Sequence, residues 1–344
     1  MPDEKHMHAA LLEARCGLGQ TSPNPAVGAV IVRGGKVIAR GFHRRAGMPH
    51  AEIEAIRALE KPELARGATI YVTLEPCSTH GRTPPCVEAI VRAGFRRVVI
   101  GAIDPNPAHA GLGVDFLKAA GVAVTAGILE AECRELNAAF NHWIVTKMPL
   151  VIAKAGMSLD GRLTRPPGEG QWLTSAAARA DAQKLRAQVD AILIGAGTLR
   201  ADNPRLTVRG VKGARQPWRV VLTRSGRLPK DAHVFTDKHR DRTLVYRGQS
   251  LRAVLRDLGR KQITSVLIEG GGQVLGEAFD RKLVQRVQFY VAPLLCGGPD
   301  VVVGGRGVGA TVEAPLIRNP HYEKLGDNLR LTGEVEYPGA VSAA

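Results

Sequence analysis

Five cysteines are too few, and odd in number, for a disulfide framework. Aromatic residues make up only 4% of the chain, which leaves little material for a base-stacking nucleic-acid surface. No apolar run reaches the ~18 residues that a membrane span needs, and Met1 to His8 lacks the apolar core of a secretory signal. Internal repeats, low-complexity tracts and a consecutive lysine-arginine block are missing too. These absences point to a globular protein, cytoplasmic by default, with no membrane or nucleic-acid partner.

What is present fits two domains of moderate size: 344 residues with 44% hydrophobic content. The formal charge of +15 admits three readings. The basic residues are spread along the chain, as on a solvated arginine-rich surface. A phosphorylated small substrate with an anionic cofactor would also favour them, as would nucleic acid.

The organising stretch is His50-Ala51-Glu52, read with Pro76-Cys77 and Cys86. One imidazole and two thiols suit a tetrahedral Zn²⁺ that keeps its fourth position for water. Glu52 is then left to move protons, the division of labour found in zinc deaminases. Eight residues separate the two cysteines, where the general deaminase pattern has two. Ser78 to Pro85 must therefore protrude, and its His80 and Arg82 suit contact with a charged substrate group, or else an exposed turn. His80 is also the candidate fourth ligand that would make the site purely structural. Cys16, Cys133 and Cys296 read as small core fillers.

Hydrophobic periodicity places helices over 5–18, 50–59, 87–93, 114–120 and 129–145, and strands over 26–32, 36–41, 68–74, 96–103 and 122–125. Lys147-Met148-Pro149 marks the junction between domains of residues 1–146 and 147–344. Beyond it, strands are expected at 150–155, 191–195, 220–223, 243–246, 266–268, 287–293 and 329–337. Helices are expected from Ser175, a candidate N-cap, to Gln188, and over 250–259 and 274–279. Two glycine-bearing strand-to-helix turns, Gly195-Ala196-Gly197-Thr198 and Glu269-Gly270-Gly271-Gly272, suit phosphate contact although neither has Rossmann spacing. Gly304 to Gly309 reads as a mobile loop without an assigned purpose.

Over nearly its whole length the chain resembles the RibD family of bifunctional riboflavin-biosynthesis enzymes. The matching stretches include Pro23-Asn24-Pro25-Ala26-Val27-Gly28, His50-Ala51-Glu52, Glu75-Pro76-Cys77 through Cys86, Asp104-Pro105-Asn106-Pro107, Lys154 through Gly161, Thr198 through Arg209 and Glu269-Gly270-Gly271. The resemblance implies an α/β protein: a cytidine-deaminase-like three-layer α/β/α domain followed by a dihydrofolate-reductase-like α/β domain. It implies zinc-dependent deamination of 2,5-diamino-6-ribosylamino-4(3H)-pyrimidinone 5′-phosphate, then reduction of the ribosyl unit to ribityl by NADPH. By position, Asn24, His43 and Arg82 would hold the pyrimidine and its phosphate. NADPH contacts would fall at Met157, Trp172, Thr198 and Asp202, and along Gly271, Gly272, Gln273, Val274, Leu275, Gly276 and Glu277. Gly170, where the family carries serine, joins Arg186, Leu206, Arg209 and Glu269 as a substrate position, and Lys154 would polarise the sugar. Thr79 and Met157 are further departures from the family pattern. A homo-oligomer, dimer or tetramer, is expected. Two rivals use the same residues: a nucleic-acid base deaminase, and a non-catalytic binding protein, for which Glu52 would serve no purpose.

Overall fold

The structure, a computed structural model, describes residues 2–79, 84–163 and 172–339. The chain separates into two compact units, Met1–Lys147 and Met148–Ala344.

The first unit runs α1 (Pro2–Arg15), β1 (Gly28–Arg33), β2 (Lys36–Phe42), α2 (Ala51–Arg57), β3 (Thr69–Leu74), α3 (Cys86–Ala93), β4 (Arg97–Ala102), α4 (Leu112–Ala119), β5 (Ala123–Ala126), α5 (Glu130–Leu136) and α6 (Ala138–Thr146). Its sheet has the order β2-β1-β3-β4-β5, antiparallel around β1 and parallel from β3 to β5. Gly34 and Gly35 turn the β1–β2 hairpin with φ of +57° and +76°, the conformation that matches the twist of the strands.

Two further glycines let helices lie against this hairpin. A Cβ on Gly28 would stand 2.1 Å from the Ala10 carbonyl of α1, and one on Gly41 would stand 2.3 Å from the Ala55 amide of α2. Gly41 pairs with Ala29 rather than with Gly28, so the two glycines face opposite sides of the sheet and so do the two helices. Cys133 of α5 approaches Gly101 of β4, while α3 packs beside α2 and α4 beside α3. Helices thus cover both sheet faces, over a core that includes Met7, Leu11, Ile31, Ile70, Val98 and Ile100.

The second unit comprises β6 (Leu150–Ser158), α7 (Ala176–Gln188), β7 (Ala191–Gly195), α8 (Ala196–Asp202), β8 (Trp218–Thr223), α9 (His233–Thr236), β9 (Thr243–Arg247), α10 (Leu251–Arg260), β10 (Ser265–Glu269), α11 (Gly272–Asp280), β11 (Arg286–Ala292), β12 (Leu316–Leu325) and β13 (Asn328–Glu336). The sheet order is β12-β13-β11-β6-β10-β7-β8-β9, parallel from β11 to β9 with an antiparallel β12–β13 edge. Ile192, Ile194, Val221 and Leu267 face Leu185 of α7, while Ala191, Leu193, Val266 and Ile268 face Val254 and Leu258 of α10. Burial on both faces explains why these parallel strands read as continuous apolar runs. Ser175 caps α7 through Oγ, which accepts the Ala178 N–H at 3.2 Å.

Three expectations need correction. The single helix expected over 129–145 is two, α5 and α6, because the buried side chain of Asn137 is spent on Ala26: Oδ1 accepts its N–H at 2.8 Å and Nδ2 donates to its carbonyl at 2.9 Å. β12 was not expected, since Asn319-Pro320 interrupts its pattern. It is an edge strand whose register slips between Arg318 and His321, the setting in which a strand tolerates proline. Cys133 is buried as expected, but Cys16 is exposed and Cys296 half-buried, so neither fills a core. Gly304 to Gly309 is a loop, as expected, and Gly304 and Gly305 abut the backbone of Gly272 and Gly276 along α11, with Gly304 N–H donating to the Gly272 carbonyl at 2.9 Å.

Candidate active sites

The first site forms where α2, the end of β3 and α3 meet. His50 occupies the N-cap position of α2 in extended conformation, one residue before the helix begins. Cys77 lies in the segment after β3, and Cys86 is the first residue of α3, preceded by Pro85. His50 Nδ1 stands 3.5 Å from Cys77 Sγ and 3.3 Å from Cys86 Sγ, and the three ligand atoms lie within 4.8 Å of one another. The Cys86 amide donates to Cys77 Sγ at 3.3 Å. Hydrogen bonds from Cys86 and His50 hold the Cys77 thiol below its usual range. Cys86 is pushed upward, first by Cys77 and then by burial, and His50 is raised chiefly by Cys77. Two sulfurs and an imidazole nitrogen converge on one point. That donor set fits Zn²⁺, and no fourth ligand joins the cluster among the described residues. His80 lies outside the described residues, as does Arg82.

Glu52 is 3% exposed, and burial above all else pushes its carboxyl up to about 7. It is in hydrogen-bond contact with Cys86 and feels the charges of His50 and Cys77, so it stands beside the ligand set without belonging to it. His43 Nδ1 donates to the Pro49 carbonyl at 3.0 Å, which leaves Nε2 to accept from Asn24 Nδ2 at 3.1 Å. Burial lowers the His43 pKa, in keeping with a neutral ring. Its ring meets that of His50 edge-on, with centroids 5.3 Å apart. Asn24 and His43 are therefore at the site, bonded to one another.

The second site is a cleft of about 2880 Å³ at the carboxyl ends of the parallel strands. β10 and β7 are neighbours, so the two glycine-bearing turns become adjacent: a Cβ on Gly271 would touch Thr198 Oγ1 at 3.0 Å. Such a crevice is where open α/β sheets take their ligands. Glu269 pairs in register with Lys154 on β6, placing both side chains on the cleft face. Arg186 of α7 grips the Glu269 carboxylate through Nε at 2.7 Å and through Nη2, and its Nη1 donates to the Thr207 carbonyl at 3.1 Å. Burial raises Glu269, but Arg186 and Lys154 outweigh it and bring the carboxyl to about 2. Burial lowers the Lys154 pKa against the opposing pull of Glu269, and its ammonium stands 5.9 Å from the Tyr290 ring.

Trp172, Thr198, Asp202, Leu206, Arg209, Gly271, Gly272, Gln273, Val274 and Glu277 line this cleft together with Lys154, Arg186 and Glu269. Three expected cofactor positions do not. Leu275 is fully buried in the core, Gly276 is pressed against Gly304, and Met157 alternates onto the sheet face opposite Lys154, where it packs on the core. The Leu206 side chain is buried at φ +51°, so only its backbone is available. Gly170 lies outside the described residues. Arg224, Ser225, Arg205, Tyr290 and Arg306 also line the cleft and were not singled out in the sequence. Arg224 and Ser225 were findable, since they directly follow the strand expected over 220–223. Tyr290 reaches the cleft only through its register with Gly156.

Residues 1–102 match the family model of the cytidine and deoxycytidylate deaminase zinc-binding region, and residues 149–331 match that of the RibD C-terminal domain. A riboflavin biosynthesis protein RibD from Synechocystis sp. is 40% identical over 355 residues, covering 96% of each chain. Its counterpart from Escherichia coli is 40% identical over 329 residues, covering 86% of this chain and 89% of its own. Among solved structures, Acinetobacter baumannii RibD superposes with a TM-score of 0.90 at 37% identity, over 97% of this chain and 99% of that one. A Thermotoga maritima protein described as a diaminohydroxyphosphoribosylaminopyrimidine deaminase/5-amino-6-(5-phosphoribosylamino)uracil reductase gives 0.89 at 35% identity, with the same coverage. With a cytidine-deaminase-like α/β/α unit, a dihydrofolate-reductase-like α/β unit and relatives along its full length, the chain belongs to the RibD family, bifunctional enzymes of riboflavin biosynthesis that join a zinc-dependent deaminase to an NADPH-dependent reductase.

Proposed function

We propose that residues 1–146 deaminate 2,5-diamino-6-ribosylamino-4(3H)-pyrimidinone 5′-phosphate and that residues 147–344 reduce the product's ribosyl group to ribityl. The observation that carries this reading is the convergence of His50, Cys77 and Cys86 within 4.8 Å, with the buried Glu52 alongside but outside the set. In this reading the three residues hold zinc, which when bound supplies a Lewis acid that activates water at neutral pH. Glu52 takes the proton from that water and delivers it to the departing 2-amino nitrogen. Its burial beside the ligand set, without membership of it, leaves the carboxyl free to carry the proton between the two. Asn24 orients the ring through its Oδ1 and second Nδ2 hydrogen, while His43, with both ring nitrogens engaged, holds the Asn24 amide in place and offers its ring face. Arg82, by its family position, is assigned to the phosphate.

In the second unit NADPH supplies the hydride. Thr198, Gly271 and Gly272 offer backbone and hydroxyl donors to its phosphates, and Trp172, Asp202, Gln273, Val274 and Glu277 form further walls of its site. Lys154 hydrogen-bonds the sugar oxygen and draws charge from the carbon that accepts the hydride. Arg186 is committed to Glu269 and Thr207, so the exposed Arg209 is the more available phosphate partner. Eight arginines along the cleft against five acidic residues favour polyanionic ligands.

No helix among the described residues is long and apolar enough to cross a membrane. We place the protein in the cytoplasm, where thiols such as Cys77 and Cys86 stay reduced. A homo-oligomer, dimer or tetramer, is proposed on the exposed apolar residues Leu316, Tyr322 and Leu329 of the β12–β13 edge, and sedimentation measures it directly. The functional test is incubation with the diaminopyrimidine phosphate, zinc and NADPH, following ammonia and NADPH separately. Ammonia release that precedes NADPH oxidation is expected. Absence of ammonia would remove the deaminase assignment, and NADPH oxidation ahead of ammonia would reverse the order of steps.

A further inference from the structure

The carboxylate of Glu75, two residues before the ligand Cys77, gathers four backbone N–H groups. Oε1 accepts from Gly113 at 2.8 Å and from Val114 at 3.2 Å, and Oε2 accepts from Gly111 at 3.0 Å and from Asp104 at 3.1 Å. Helix α4 begins after Gly111 and has no capping side chain of its own, so its first-turn donors are met by a residue from another element. Capping alone would engage one or two donors at the helix. Here the same buried group also binds Asp104, at the far end of the connection between β4 and α4.

The helix start is also pressed against the ligand turn itself. A Cβ on Gly113 would lie 2.3 Å from the Pro76 carbonyl, the peptide unit that leads into Cys77. Within the connection, Asp104 Oδ1 accepts the Asn106 N–H at 2.9 Å and Asn106 Oδ1 accepts the Ala108 N–H at 3.2 Å, so the segment is internally braced.

We propose that Glu75 is a positioning residue of the deaminase: it fastens the 103–113 segment to the strand end that carries Cys77, and so fixes the wall against which the pyrimidine substrate is held. This rests on the reading of His50, Cys77 and Cys86 as the deaminase centre. Glutamine at this position accepts through only one atom and turns an NH₂ group toward two N–H donors, which drives the wall outward.

The test uses the full-length, zinc-loaded protein. Glu75→Gln is expected to raise KM for the diaminopyrimidine phosphate about ten- to a hundredfold, the scale of a misplaced binding surface. Zinc content and NADPH oxidation with deaminated substrate stay at wild-type level. Gly113→Ala, whose Cβ would stand 2.3 Å from the Pro76 carbonyl and 3.1 Å from Glu75 Oε1, disturbs the same junction without removing the carboxylate and is expected to raise the same KM; it is the variant to read if Glu75→Gln does not fold. Wild-type KM in the folded variants would overturn the proposal. So would activity that falls only in proportion to lost zinc or lost folded protein. A Glu52→Gln variant that still released ammonia would instead sink the underlying reading, so the two failures are distinguishable.

Discussion

Replacing Glu52 by glutamine separates two consequences of its burial. Desolvation pushes the carboxyl up to about 7 from an ordinary value of 4.5. A carboxyl whose folded-state pKa exceeds its unfolded one binds its proton more tightly in the fold. Its ionisation therefore weakens the fold as pH climbs from 4.5 towards about 7, and by a constant amount above that. At 1.36 kcal/mol per pKa unit the penalty is about 3 kcal/mol in the metal-free protein. Glutamine has nearly the same shape and never ionises, so metal-free Glu52→Gln should resist urea better than wild type at pH 8, with the gain vanishing near pH 4.5. Activity should move the other way: ammonia release should fall about 10²–10⁴-fold, the usual contribution of a proton-transferring side chain, or about 3–5 kcal/mol of barrier. Zinc content should not change, because the carboxylate lies outside the ligand cluster. Urea titrations of chelator-treated protein at the two pH values, with ammonia release from zinc-loaded protein, measure both effects. A variant that gains nothing at pH 8, or that releases ammonia within about threefold of wild type, refutes the reasoning.

Three other perturbations probe other parts of the chain. Glu269→Gln leaves Arg186 without its buried carboxylate and should cost about 3–5 kcal/mol in the second unit; NADPH oxidation should be lost while ammonia release continues. Because Glu269 is held near about 2, that ion pair should stabilise fully above pH 4.5 and weaken as pH falls toward 2, a slope that glutamine abolishes in acid titrations. Asn137→Leu strands the buried Ala26 N–H and carbonyl and should cost about 2–5 kcal/mol in denaturation, with faster hydrogen exchange at Ala26. A zinc chelator should stop ammonia release and spare NADPH oxidation with deaminated substrate, since no residue of the ligand cluster lies in the second unit.

The central parallel strands were legible because strands covered on two faces must be apolar throughout, as in Ala191–Gly195 and Ser265–Glu269. The α5–α6 break was not legible, since Asn137 fits a helical pattern and its partner Ala26 lies 111 positions away. β12 was hidden for a related reason: an exposed edge strand with an internal proline carries no hydrophobic period. In the cleft, the run from Gly271 to Glu277 was named as a block, yet a helix turns Leu275 into the core while Gln273 and Glu277 face outward.

The sequence by itself determined the chemistry: an imidazole, two thiols and a neighbouring carboxylate are recognisable as types, and their order along the chain is enough to suggest a zinc deaminase. Tertiary structure alone decided how those groups behave. Burial raises Glu52, the approach of Cys86 and His50 lowers Cys77, and a carboxylate on one strand end braces a segment that begins some thirty residues later. Each of these depends on distance and exclusion of water, and neither is written in the order of the residues.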